Sequence, residues 1–364
     1  MSAHAPAAPL RFTPDMEVPA PDEAETNAAL IEALGKISET TFAHSGHAIR
    51  SVHAKSHGVL RATLAVHPGL PPALAQGLFA RAGEYDAVLR FSTNPGDILD
   101  DSVSTPRGLA IKVIGVEGPR LPGSESDTTQ DFVLVNAPAF GAPTPAKFLG
   151  NLKLLAATTD KAEGAKSALS AVARGAESAI EALGGKSPTI TSMGGQPATS
   201  ILGETFYSQV PVLYGDHVAK IAVAPVFALS ALTGTPVDLA APDALRDSVA
   251  AHFATHGGEW DVRVQLCTDL DTMPIEDASV AWPEDASPYV TVARLRAAPQ
   301  DSWSPEAVAA VDEGLAFSPW HGLAAHRPLG GVMRARNSTY TSSASFRATH
   351  NGCPIHEPKG QKKG

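Results

Sequence analysis

The chain has 364 residues, enough to bury one large core or two ordinary ones. Hydrophobic residues make up 43% and charged residues 18%, the balance of a globular protein and not of a disordered one. Against 28 Lys and Arg stand 38 Asp and Glu, a net charge of −10, which excludes a nucleic-acid partner held by counterion release and a polybasic grip on an anionic membrane.

Residues 1–21 read as an extended, proline-rich arm. Ala24, Leu30, Ile31 and Leu34 recur at helical spacing and predict a helix over about 22–35. Period-two alternation predicts strands at 59–66, 87–93, 108–116, 131–136, 203–211, 217–226, 260–266 and 289–297. Eight is a number at which an antiparallel sheet closes on itself. Segment 145–183 is rich in Ala, Lys, Leu and Glu and predicts two helices ending near Gly184-Gly185. Segments 241–254 and 304–315, each opened by a proline and an acidic residue, predict two more. The stretch 186–200 is the best linker candidate, yet the strand pattern resumes directly after it, which favours one interrupted domain. The expected organisation is an N-terminal arm and helix (1–39), a single domain (40–350, with a helical insertion at about 145–200) and a tail (351–364). The fold class is α+β.

Cys267 and Cys353 are the only cysteines, too few for a disulfide framework. The opening residues lack a basic and then apolar leader, and no apolar run reaches the length of a membrane helix. A cytoplasmic protein without membrane insertion is the expectation. His252-x3-His256, His53-x3-His57 and His350-x2-Cys353-x2-His356 have metal-like spacing, but none brings a complete ligand set. No phosphate-cradling Gly-x-Gly-x-x-Gly and no Gly-x-Ser-x-Gly elbow is present.

Two arginine-anchored motifs carry the chemistry. Arg50-Ser51-Val52-His53-Ala54-Lys55 stands near one end, and Arg336-x3-Tyr340-x6-Arg347 near the other. On a helix, positions 336, 340, 343 and 347 share a face, so Tyr340 offers a phenol with a guanidinium group above and below it. Few functions use such a phenol, and one is axial ligation of haem iron.

Further segments extend the pattern: Arg90-Phe91-Ser92-Thr93, Pro106-Arg107-Gly108-Leu109-Ala110-Ile111-Lys112, Tyr214-Gly215-Asp216-His217, Trp282-Pro283 and Phe317-Ser318-Pro319. Together, and in this order over roughly residues 40–350, they resemble the catalase family in a short form. The resemblance implies an eight-stranded antiparallel barrel of catalase type with helical insertions and a C-terminal haem-ligand helix. It implies haem b as cofactor, Tyr340 as iron ligand and Arg336 as the charge that favours phenolate, since a free phenol has a pKa near 10. Arg50, Arg90 and Arg347 would pair with the haem propionates. His53 would act as distal base and then acid, Ser92 would orient its ring, and Asn136 would donate to the peroxide. Val52 and Phe140 would line the distal face, and His217 would be the proximal relay histidine.

The chain also departs from the family. Phe140-Gly141 stands where the family has two phenylalanines, Gly330 replaces an acidic residue before Arg336, Asn136 lies one position closer to Pro138 than expected, and few residues follow Arg347. The expected function is a haem-dependent peroxidase or catalase-related hydroperoxidase. It would act on hydrogen peroxide or an organic or lipid hydroperoxide, with a small-molecule reductant, as a homodimer. The alternatives are a fatty-acid hydroperoxide isomerase of allene oxide synthase type, in which threonine takes the place of Val52, and a non-catalytic haem-binding protein.

Overall fold

The alternating segments pair largely in chain order. Strands β1 (Ser56–Val66), β2 (Gly83–Thr93), β3 (Arg107–Ile114) and β4 (Thr129–Val135) form one antiparallel meander. A two-residue strand, β5 (Phe206–Tyr207), and a three-residue one, β6 (Val212–Tyr214), lead into a second meander of β7 (His217–Val226), β8 (Gly258–Leu266) and β9 (Val290–Ala297). β9 pairs back onto β1 through Thr63 to Val66, and β5 bridges β4 to β7. The result is a closed eight-stranded antiparallel barrel, with β6 paired outside the ring against the start of β7. Leu60, Leu89, Ile111, Val223, Trp260 and Leu295 fill its interior as one continuous core. The computed structural model describes residues 7–156 and 196–359.

Three sequence expectations need correction. The strand expected at 203–211 is broken, because Gln209 adopts φ 62 and turns the chain between β5 and β6. The helix expected at 22–35 continues as α1 (Glu23–Ser45) to a left-handed cap at Gly46, φ 68. Its second half hides Ile37, Ser38 and Thr41, whose buried hydroxyls interrupt the apolar pattern. The helix expected at 304–315 is a single α turn and then a π turn at 309–313. α2 (Pro145–Ala156) and α3 (Ala244–Phe253) fall where expected. The second insertion helix and most of the linker lie outside the described residues. The single turn is α4 (Pro305–Val308), and the predicted ligand helix is α5 (Gly331–Asn351).

α1, α2 and α5 pack beside the barrel through Leu30, Leu34, Ile37, Leu152 and Ala335. The start of α5 is held by acids from far along the chain. Gly331 N–H donates to Glu276 (2.7 Å) and Gly330 N–H to Glu17 (2.9 Å). Arg334 reaches Glu17, Glu23 and Glu276 at 2.7–3.1 Å. Carboxylates at a helix N-terminus interact favourably with its dipole. Among the described residues no helix is long and apolar enough to cross a membrane.

His326 is buried among Phe79, Phe132 and Tyr214, and its Nε2 accepts the Leu78 N–H at 2.9 Å. Burial pushes it down to about 4 from 6.5, so it folds neutral. The unfolded chain then takes up the proton first. Stability is full above about 6.5 and is lost as pH falls toward 4. Replacing His326 by Gln is expected to flatten the fall in urea midpoint across that window. An unchanged slope would remove His326 from the acid response.

Candidate functional site

Between α1 and β1 the chain makes a tight passage at residues 50–55, and His53 sits there with φ 54. A left-handed conformation at a non-glycine residue costs about 1–3 kcal/mol and persists only where the surroundings enforce it. They do so on both sides of the peptide. His53 N–H donates to Asn94 O (2.6 Å) and Ala54 N–H to Pro95 O (3.0 Å). The Arg90 guanidinium donates to the carbonyls of His53 (2.9 Å) and Ala54 (3.1 Å).

The imidazole rests over β3. Its Nδ1 lies 3.1 Å from Ser92 Oγ, and the β2–β3 register sets Ser92 opposite Gly108. A Cβ at position 108 would lie 2.6 Å from the ring, so this strand position must be glycine. Burial, with the charges of Arg90 and Arg336 nearby, pushes His53 down to about 3. The ring is therefore neutral in the folded protein.

Facing this passage is α5. A cleft lies between them, lined by Val52, Phe317, Tyr340, Ser343, Ala344 and Arg347 among others. Arg50 and Arg347 line it too. There they meet Arg90 around Asp312. Asp312 Oδ1 accepts from Arg90 Nε (2.5 Å) and from an Arg50 terminal nitrogen (2.9 Å). Arg50 also donates to the carbonyls of Val311, Asp312 and Leu315 at 3.0–3.1 Å, and Arg347 to those of Asp312 (2.5 Å) and Leu315 (3.1 Å). Burial lowers the Arg50 pKa well below its usual value, and the charges of Arg90 and Arg347 lower it further. Burial works to raise the Asp312 carboxyl, but the guanidinium charges outweigh it and hold the group below its ordinary value. Arg347 Nε is buried with no hydrogen-bond partner among the described residues. The cluster therefore carries excess positive charge on the lining of a cleft, the setting of an anion site.

The structure thus brings Arg50, Val52, Tyr340 and Arg347 into one cleft, and sets His53 and Ser92 beside it, joined to the cluster through Arg90 and Asp312. Arg336 extends past the phenol, with its guanidinium 5.5 Å from the centroid of the Phe140 ring. Asn136, expected to donate to a peroxide, is engaged by protein partners in this structure. Its amide donates to Gln196 Oε1 (2.9 Å) and to Glu204, and its Oδ1 accepts the Arg107 N–H (2.9 Å). His217 is likewise drawn away, bonding through Nδ1 to the carbonyl of Leu10 (2.9 Å), so no hydrogen bond makes it a relay to Arg336. The two acids, Asp312 and Glu204, escaped sequence reading. The charge balance held one signal: three arginines assigned to one site require an acid, and Asp312 leads the acidic pair closest before Phe317-Ser318-Pro319. Among the described residues no group of three or more His, Cys, Asp or Glu is placed to hold a metal ion.

No protein-family model matches the chain, and no curated protein matches it by sequence. Solved structures do match. A fungal catalase superposes with TM-score 0.61 at 18% identity, covering 86% of this chain and 62% of its own. Catalase A from Saccharomyces cerevisiae gives 0.58 at 18%, covering 85% and 63%, and a bacterial catalase gives 0.59 at 16%, covering 97% and 66%. The fold is that of these catalases. The chain spans less than two thirds of the length of each of them, by those same shares of 62%, 63% and 66%.

Gly108→Ala is expected to destabilise the protein by about 1–3 kcal/mol through overpacking against His53. Gly150→Ala, on an exposed face of α2 with open space around it, is expected to stabilise by up to about 1 kcal/mol. Urea denaturation of the two variants checks the opposite signs, and equal effects would contradict the packing of the ring on β3.

Proposed function

We propose that the chain binds haem b in the cleft between residues 50–55 and α5 and uses it to cleave peroxides. One observation carries this reading: Tyr340, Arg50 and Arg347 line a single cleft, and His53 follows directly on Val52 of that cleft with its backbone held by Arg90. The donor set fits the group. Tyr340 would hold the iron through its phenol oxygen, and Arg50 and Arg347, backed by Arg90, would pair with the propionates. Haem, when bound, would supply a ferric centre able to give two electrons to a peroxide O–O bond, with a reductant returning them afterwards.

The chain's own residues handle geometry and protons. Arg336 lies one turn before Tyr340 on α5, and Arg347 lies two turns beyond it. Ser92 engages His53 Nδ1 and leaves Nε2 as the ring nitrogen that takes a proton from the incoming peroxide and returns it to the leaving oxygen. Val52 and Phe317 exclude water from the cleft. The neighbours of like fold are named catalases, which supports hydrogen peroxide as a substrate class. Asn136 is held by Glu204 and Gln196, and Gly141 leaves out one ring. Both features favour slower, peroxidase-type turnover, with organic or lipid hydroperoxides admitted and a small-molecule reductant supplying the electrons.

Haem-loaded protein is expected to show a high-spin ferric spectrum of phenolate type that Tyr340→Phe abolishes. An unaltered spectrum in that variant would refute the ligand assignment. His53→Ala is expected to slow peroxide cleavage by about 10²–10⁴-fold. Oxygen release, dye oxidation and lipid-hydroperoxide consumption should be compared on one sample. Rearrangement of the lipid without any reductant would replace the peroxidase reading with the isomerase.

A further inference from the structure

We propose that Asp312 is a positioning residue for His53, acting through Arg90. Its Oδ1 takes the Arg90 Nε–H at 2.5 Å, and the two terminal nitrogens of the same guanidinium hold the carbonyls of His53 and Ala54. The clamp therefore grips the two successive peptide carbonyls that follow the left-handed residue His53. Arg90 is 2% exposed, and its charge lies close to those of Arg50 and Arg347. Without a carboxylate among them the three would repel one another with little water to screen them. Asp312 neutralises one charge at the point where Arg90 must stay.

The segment that presents Asp312 is fixed independently. Arg50 and Arg347 donate to the carbonyls of 311, 312 and 315, Glu313 binds His47 (2.7 Å) and Asn351 (2.8 Å), and the His356 N–H donates to Gly314 O (2.9 Å). The carboxylate thus ties the passage that carries His53 to the connection leading into the Tyr340 helix. A residue that met only its own turn would have no such reach.

The kinetic consequence rests on the haem-peroxide reading, while the positional one does not. Amide hydrogen exchange is therefore measured on the full chain without haem, for wild type, Asp312→Asn and Asp312→Glu. Asp312→Asn keeps the size and one acceptor but removes the charge. It is expected to speed exchange in residues 50–55 by roughly tenfold or more, the scale of a lost charged hydrogen bond, and to leave 258–266 unchanged. Asp312→Glu is expected to restore much of the protection. Faster exchange confined to 305–317 would overturn the inference, because Asp312 would then brace only its own turn. Arg90→Lys keeps the charge but loses the two-pronged grip and is expected to loosen 50–55 in the same way. That variant decides the question if Asp312→Asn does not fold. In haem-loaded protein Asp312→Asn is expected to lower kcat for peroxide cleavage roughly tenfold, with the haem titration midpoint within about threefold of wild type. A wild type that takes up no haem would sink the functional reading and leave the exchange result standing.

Discussion

Two guanidinium groups, those of Arg50 and Arg90, share the carboxylate of Asp312 while a third, that of Arg347, takes its backbone carbonyl, and the geometry of the cleft depends on that arrangement. Like charges held out of water repel strongly, because the low dielectric that strengthens attraction strengthens repulsion equally. Arg50, Arg90 and Arg347 come from the passage after α1, from the barrel and from α5. They converge because the Val311–Leu315 connection supplies both a carboxylate and a row of backbone carbonyls. The π turn over Ala309–Glu313 matters here, since one extra residue in the turn changes which side chains face inward. A regular helix through 304–315 would present a different face to the arginines.

The barrel gives this cluster a rigid wall. Antiparallel pairing of β2 with β3 sets Ser92 opposite Gly108 and Arg90 opposite Ala110. Side chains at 90 and 92 point to the same face of the sheet, because strands repeat every second residue. One face of β2 therefore carries both the clamp on the His53 backbone and the partner of its ring. The small residues across from them on β3, Gly108 and Ala110, make room for these groups. On the other side α5 is fixed at its start by Glu17, Glu23 and Glu276, three acids from separate parts of the chain. Neither wall of the cleft is built by a single local segment.

That division explains what could be read from sequence. The strands were legible because half-buried sheets impose a two-residue period, and a closed antiparallel ring of eight followed from their number. Tyr340, Ser343 and Arg347 were legible because helical spacing is local, and all three line the cleft. The break at Gln209 left no mark, since its positive φ is imposed by the turn between β5 and β6 and not by a glycine. The full length of α1 was hidden by Ser38 and Thr41, polar residues on its buried face. Asp312 and Glu204 were invisible for a deeper reason. Asp312 meets Arg50 262 positions away and Glu204 meets Asn136 68 positions away, and no periodic pattern encodes such pairings.

Glu204 also changes how the distal wall works. Burial raises its pKa, while Arg107 and the Asn136 amide pull the other way by favouring the anion. Both amide hydrogens of Asn136 are occupied, by Glu204 and by Gln196, so the side chain is turned toward the Arg107 side of the barrel end. An amide donor stabilises charge on an incoming peroxide oxygen only when one N–H is free. On the proposed reading the proton traffic then falls to His53 alone, oriented by Ser92 and kept neutral by burial and by the cations behind it. A single base suffices to move one proton from one peroxide oxygen to the other. Rapid disproportionation of two peroxide molecules demands more of the wall than that, and a reductant-dependent reaction demands less. The same arrangement of Asn136, Glu204 and Phe140-Gly141 that weakens the case for a fast catalase is therefore consistent with a hydroperoxidase.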